Sequence, residues 1–126
     1  MPFIHIKSLP FKEPVDISGA IRNIAINFSA ATNVELMHIH TTWEFYNPGH
    51  YAKGSETHEF QNRSSCPIIV DLLTPDFNST EIIETMLESI ANSISESLDF
   101  PINNIFINHR QAKSEMVFDD GEVVKW

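Results

Sequence analysis

The chain opens on a loose alternation, Ile4 and Ile6 against His5 and Lys7, which predicts a short strand from Phe3 to Lys7 with one apolar face. Pro10 and Pro14 end it. Ile17, Ile21, Ile24 and Phe28 then recur at steps of three and four, so an amphipathic helix is expected from about Asp16 to Ala31, capped by Asp16 or Ser18. From Leu36 to Tyr46 the period changes to two. Met37, Ile39, Trp43 and Phe45 fall on one side and His38, His40, Thr42 and Glu44 on the other, which reads as a second strand. The stretch from Asn47 to Ser65 carries Asn-Pro-Gly and Lys-Gly-Ser with almost no apolar periodicity, and is expected to be loop or a weak hairpin. Loops this long inside a compact domain often carry function.

Cys66 to Leu73 is a nearly continuous apolar run, the pattern of a strand covered on both faces. Asn78-Ser79-Thr80-Glu81 resembles a capping box, and Ile82, Met86, Ile90 and Ile94 follow at helical spacing. This second helix ends near Leu98 or Asp99, because Pro101 forbids its continuation. Ile105, Phe106 and Ile107 lead a fourth strand to about Arg110. Met116 to Phe118 and Glu122 to Val124 flank Asp119-Asp120-Gly121, a hairpin-type turn. The order strand, crossover helix, strand thus occurs twice, over about 1–46 and 66–110, with Pro2 starting one half and Pro67 the other at an offset of roughly 65 residues.

The expected fold class is therefore α/β (α+β), in a single domain over residues 1–126. Two β-α-β repeats with right-handed crossovers form one four-stranded mixed sheet with both helices on one face, followed by a C-terminal β-hairpin. Ile4, Ile6, Met37 and Ile39 would point at the helices, and His5, Lys7, His38 and His40 away from them. No third helix is available for that second face, so a neighbouring copy is its natural cover and a homo-oligomer is expected.

Composition narrows the partners. In 126 residues, 42% of them hydrophobic, 17 acidic side chains outweigh 8 basic ones for a net charge of -9, which repels phosphate backbones and anionic lipid surfaces. Neither nucleic acid nor membrane is an expected partner. The one cysteine, Cys66, excludes an intrachain disulfide and fits a buried thiol in a reducing, cytoplasmic setting. The start lacks the pattern of a signal peptide, and no segment approaches the roughly 18 apolar residues of a membrane span. His38 and His40 have zinc-ligand spacing if His5 lies on the adjacent strand. Without a further cysteine or a second such pair, polar residues at a subunit interface are the simpler reading, and no metal is expected.

The start Met1-Pro2-Phe3-Ile4, the duplicated β-α-β order and the segment Ile105-Phe106-Ile107-Asn108 together resemble the tautomerase superfamily, which includes macrophage migration inhibitory factor, 4-oxalocrotonate tautomerase and 5-carboxymethyl-2-hydroxymuconate isomerase. The ending Val117-Phe118-Asp119-Asp120-Gly121-Glu122 resembles a small bacterial branch. The resemblance covers most of the chain. It implies a trimer with sites between subunits, no cofactor, and transfer of a proton between carbon and oxygen of a small unsaturated keto or enol acid. The implied base is the nitrogen of Pro2 once the initiator methionine is removed. A free α-amine has a pKa of about 7.7 to 8.0, and an apolar pocket lowers it, which suits a base working near neutrality.

Carried over by position, Asn108 corresponds to an active-site asparagine of the cytokine-like branch, whose neighbouring tyrosine is replaced here by Phe106. His38, with His40 beside it, falls about where 4-oxalocrotonate tautomerase places a substrate-binding arginine. The lysine at the end of the first helix in the cytokine-like branch has no counterpart in Thr32-Asn33-Val34-Glu35. Anion binding then falls to Arg63, Lys53 or Arg110, and Arg63 is the choice because a lid in the long loop would bring a fork suited to carboxylate. Two readings follow: an isomerase using Pro2 with His38, His40, Asn108 and Arg63 on the substrate's oxygens, or a non-catalytic oligomeric binding or signalling protein on the same scaffold.

Overall fold

The computed structural model describes all 126 residues. In chain order they form β1 (Phe3–Ser8), α1 (Ile17–Thr32), β2 (His40–Phe45), a small hairpin of β3 (Ala52–Lys53) and β4 (Glu56–Thr57), β5 (Ile68–Pro75), α2 (Thr80–Leu98), β6 (Ile105–Ala112), and a closing hairpin of β7 (Val117–Asp119) and β8 (Glu122–Val124). The sheet order is β2-β1-β5-β6. β1 runs parallel to β2, β5 parallel to β6, and β1 antiparallel to β5. Phe3 pairs with His40, and about 65 positions on Ile68 pairs with Ile105, so the two halves share one register.

Strand alternation explains the core. Ile4 and Ile6 of β1 and Ile68, Val70 and Leu72 of β5 point to one face, where they meet Ile24 and Phe28 of α1 and Met86, Ile90 and Ile94 of α2. All ten of these side chains are fully buried, and each contributes on the order of 1.5–3 kcal/mol by leaving water.

The helices begin and end by related devices. The Asp16 carboxylate accepts the Gly19 N–H at 2.9 Å, and the Ser79 hydroxyl accepts the Ile82 N–H at 3.3 Å. Glu81 stands one position too early to return a bond to Ser79, so the cap is single and not the reciprocal box its sequence resembles. Both helices stop at a left-handed residue, Asn33 at φ 61 and Asp99 at φ 48. In each case a serine one turn back donates its hydroxyl to the carbonyl just past the cap, Ser29 to Val34 and Ser95 to Phe100, both at 2.6 Å. The repeat therefore extends to individual hydrogen bonds.

The second strand is shorter than its alternation predicts. Leu36–His38 is one 3-10 turn, closed by the His38 N–H on the Glu35 carbonyl and the Ile39 N–H on the Leu36 carbonyl. Sheet pairing starts only at His40, whose N–H bonds the Pro2 carbonyl at 3.0 Å. Met37 is 79% exposed where a core position was expected, whereas Ile39 does pack against the core. The cause is the layer change: α1 ends at Asn33, and the chain crosses from helix layer to sheet through a tight turn. Over so few residues, alternation does not tell a turn from a strand. In the closing hairpin Asp120 at φ 50 and Gly121 at φ 84 are the two central turn residues, the left-handed pair that matches strand twist. No helix is long and apolar enough to cross a membrane.

Candidate functional site

Pro2 sits one residue before β1 with its ring buried. Because β1 and β5 are antiparallel, this is also the end where β5 runs out and the chain turns into α2. A recess of about 90 Å³ lies there. Pro2, Val34, Pro75, Phe77 and Met86 supply apolar walls, Thr74 and Asn78 the polar ones, and Met1 completes the lining. Burial lowers the pKa of the Met1 amine, and Asp119 of the closing hairpin pulls weakly the other way.

The polar groups here are neutral. Thr74 is fully buried, its hydroxyl 2.8 Å from His109 Nε2 and 3.3 Å from the Pro75 carbonyl. Burial pushes the His109 imidazole below its usual value, which favours the uncharged ring. The Asn78 amide donates to the Pro75 carbonyl at 3.0 Å. Phe77 meets Trp126 edge to face, ring centroids 6.1 Å apart, and the Trp126 indole N–H donates to Asp76 at 2.8 Å. The closing segment is thereby fixed against one wall of the recess.

The sheet face away from the helices is uncovered and carries three rows: Glu44, Lys7, Ile69, Phe106; Thr42, His5, Asp71, Asn108; and His40, Phe3, Leu73, Arg110. Arg110 grips Asp71 with both prongs, Nε to Oδ1 at 3.0 Å and Nη2 to Oδ2 at 2.7 Å, and the Asn108 amide adds a bond at 3.3 Å. The Arg110 bonds hold the Asp71 carboxyl below its usual range, with Asn108 and His5 helping and burial opposing. His5 Nε2 lies 3.2 Å from Glu44, its Nδ1 meets the Thr42 hydroxyl, and His40 stacks on Phe3 at 4.4 Å. A wider recess of about 390 Å³ opens over these rows, but its charged groups are largely engaged with one another.

Of the residues singled out in the sequence, only Pro2 lines the small recess. His38 lies in the turn before β2, 3.3 Å from Glu35, so His38 and His40 do not share a strand face. His40 and Asn108 stand on the uncovered face, as does Arg110. Lys53 lies in the small hairpin. Arg63 donates to the Asp99 carbonyl at 2.6 Å, at the C-terminal end of α2 and before the start of β5. Within one protomer that is the opposite end of the sheet from Pro2. Thr74, Asn78, His109 and Asp71 were not picked out by sequence reasoning. Asp71 left a signal as the lone acid in an apolar run; Thr74 and His109 meet only through strand register across the sheet, which one sequence does not show, and Asn78 bonds within its own turn.

The long polar segment seals that opposite end. Asn62 Oδ1 accepts the N–H groups of Ser65, Cys66 and Ser64 at 2.8, 3.1 and 3.2 Å. The buried Asn104 amide donates to the carbonyls of Asn62 and Cys66 at 3.2 and 3.3 Å, and Gln61 also donates to the Cys66 carbonyl. The Gln61 N–H bonds Pro10 at 2.8 Å. Pro67, the counterpart of Pro2, directly follows this network and is half-buried, its carbonyl accepting the Tyr51 hydroxyl at 3.3 Å.

No family model matches the sequence, and no curated protein matches it. Solved structures do. A symmetric trimer described as wild-type fused 4-OT is similar at a TM-score of 0.81 and 8% identity, over 97% of this chain and 94% of that one. A member of the cis-3-chloroacrylic acid dehalogenase family is similar at 0.77 and 7% identity, over 97% and 82%. Malonate semialdehyde decarboxylase is similar at 0.71 and 12% identity, over 95% and 91%. Identities this low carry architecture and leave activity open. With its paired β-α-β repeats, its β2-β1-β5-β6 sheet and its closing hairpin, the chain has the fold of the tautomerase superfamily.

Proposed function

We propose that the chain is a cofactor-free isomerase that moves a proton between carbon and oxygen of a small unsaturated keto or enol compound, with Pro2, freed by removal of Met1, as the base. The observation that carries this reading is the burial of Pro2 in a mainly apolar recess where the Met1 amine is already held below its ordinary pKa. With Met1 removed, the amine becomes that of Pro2, and apolar surroundings such as these favour the neutral form of an amine. That nitrogen takes the proton from the carbon next to the carbonyl, and the Asn78 amide, which spends one N–H on the Pro75 carbonyl, has a second N–H for the developing oxyanion. Returning the proton to the far carbon or to oxygen completes the isomerisation without any change of oxidation state.

In the keto-acid form that the resemblance implies, the carboxylate would be met by His38, His40, Asn108 or Arg63 of a neighbouring copy, since none of them lines the recess of its own chain. A homo-oligomer, a trimer as in the fused 4-OT structure, supplies such a neighbour and a cover for the bare sheet face. The same absence of a cation favours the second reading, a non-catalytic oligomeric binding or signalling protein. The deciding experiment is the enol–keto conversion of phenylenolpyruvate and 2-hydroxymuconate by protein whose mass shows complete loss of Met1. Pro2→Ala is expected to lower kcat/KM by about 10²–10⁴-fold, the range of a positioned general base. Equal rates for the two proteins would remove Pro2 as the base.

A further inference from the structure

We infer that His109 is a positioning residue of the Pro2 site, acting through the Thr74 hydroxyl and the Pro75 carbonyl to orient the Asn78 amide toward the developing oxyanion; this rests on the Pro2 chemistry proposed above. A hydroxyl has a single proton to give, and a carbonyl can only accept. The Thr74 hydroxyl stands 3.3 Å from the Pro75 carbonyl and 2.8 Å from His109 Nε2. Both contacts are hydrogen bonds only when His109 gives its Nε2–H to Thr74 and Thr74 gives its own proton to Pro75. The first half of the chain contains the same trio with its direction fixed by chemistry. Ser8, Leu9 and Trp43 precede Thr74, Pro75 and His109 at the spacing that also relates Asn33 to Asp99. There the Trp43 indole, which can only donate, bonds the Ser8 hydroxyl at 3.0 Å, and Ser8 donates to the Leu9 carbonyl at 2.9 Å.

The two trios differ at the last step. The Pro75 carbonyl takes a second donor, the Asn78 amide at 3.0 Å, and Asn78 lines the recess beside Pro2. Because that carbonyl only accepts, it holds the amide nitrogen toward itself and leaves the other N–H for a substrate oxygen. His109 keeps Thr74 donating, so two donors fix one carbonyl in place. With an acceptor instead of His109, the Thr74 proton would turn away from Pro75, and the carbonyl that aims Asn78 would lose one of its two anchors. A donor aimed in advance at the oxyanion is what such a reaction needs. All four groups belong to one chain, and none of their bonds involves Met1. His109 alternates along β6 with Asn108 and Arg110, so it points to the helix side and away from the uncovered face. Loss of Met1 and a neighbouring copy on that face both leave the arrangement intact.

The test replaces His109 in protein that has lost Met1 and follows the conversion of phenylenolpyruvate. His109→Leu is expected to lower kcat by about tenfold with KM within about threefold of wild type. His109→Gln, which puts an amide N–H near the lost Nε2–H, should recover most of that loss. His109→Glu has the same length but only accepts when ionised, and should not. In an Asn78→Ala background the His109→Leu loss should vanish, because the effect runs through Asn78. No loss in His109→Leu, a loss that persists without Asn78, or equal rates for the Gln and Glu variants would overturn the inference. Where a variant does not fold, ¹⁵N NMR of the wild-type ring decides: the Nε2–H form supports the inference and the Nδ1–H form refutes it. If the wild type shows no turnover, the Pro2 reading fails on its own, and positioning is judged by the Asn78 side-chain amide signals. Signals that move in His109→Leu and return in His109→Gln support it; signals that stay put refute it.

Discussion

Pro2 and Pro67 occupy equivalent places, each one residue before the first strand of its β-α-β half, yet the two ends of the sheet have opposite fates. At Pro2 the chain leaves a recess of about 90 Å³ with apolar walls and two neutral polar side chains. At Pro67 the preceding segment folds over, and Gln61, Asn62 and Asn104 spend their amides on backbone groups from Asn62 to Cys66. Pro67 nitrogen is also an internal amide, with no lone pair free to act as a base. A proline thus stands at both ends, but only Pro2 can become a chain terminus.

The largest expected effect is the contrast between those two prolines. Pro2→Ala should lower turnover by the factor given above, whereas Pro67→Ala should leave kcat/KM within about twofold. The latter loses only the stiffness that proline lends the unfolded chain, about 0.4–1 kcal/mol. Steady-state rates and urea midpoints on both variants separate these effects. A Pro67→Ala protein as inactive as Pro2→Ala would mean that the closed end communicates with the open one.

A smaller effect is expected at the plug. Asn62→Ala deletes the acceptor of three backbone N–H groups in a partly buried turn, at a cost of about 1–3 kcal/mol. The urea midpoint should fall accordingly, amide exchange at Ser65 and Cys66 should speed up, and turnover at Pro2 should not change. Loss of turnover with unchanged stability would restore the expectation that the long loop is a lid.

The contrast also marks what one sequence can show. Ile4 and Ile6, and Ile24 and Phe28 on the helix, announced their burial because the periods of strand and helix are local properties. The order of elements and the Asp-Gly hairpin were legible for the same reason. Met37 misled because four alternating residues fit a 3-10 turn as well as a strand. The plug was illegible because Asn62 works through turn geometry that has no period. The recess was legible at Pro2 alone: Thr74 and His109 lie 2.8 Å apart but meet only through the pairing of β5 with β6, a non-local fact.

The smallest expected effect sharpens the comparison from the uncovered face, which both halves share. The Asp71 pKa is lowered, chiefly by Arg110, so its contribution is present above the unfolded carboxyl value of about 3.9 and is lost as pH falls through the folded value. The stability difference between wild type and Asp71→Asn should therefore be full at pH 7 and shrink below about pH 4. With 35% of the Asp71 side chain and 59% of the Arg110 side chain exposed, the pair is strongly screened in a lone protomer. Its loss should then move Tm by about 3 °C or less, independently of protein concentration. If a second copy covers the face, the pair is desolvated, and removing one partner strands the other charge. The Tm difference should then exceed that bound and widen on dilution, because the variant's oligomer dissociates first. A difference that stays small at every concentration would leave the face open to water, and with it any route by which a neighbour could bring a cation to Pro2.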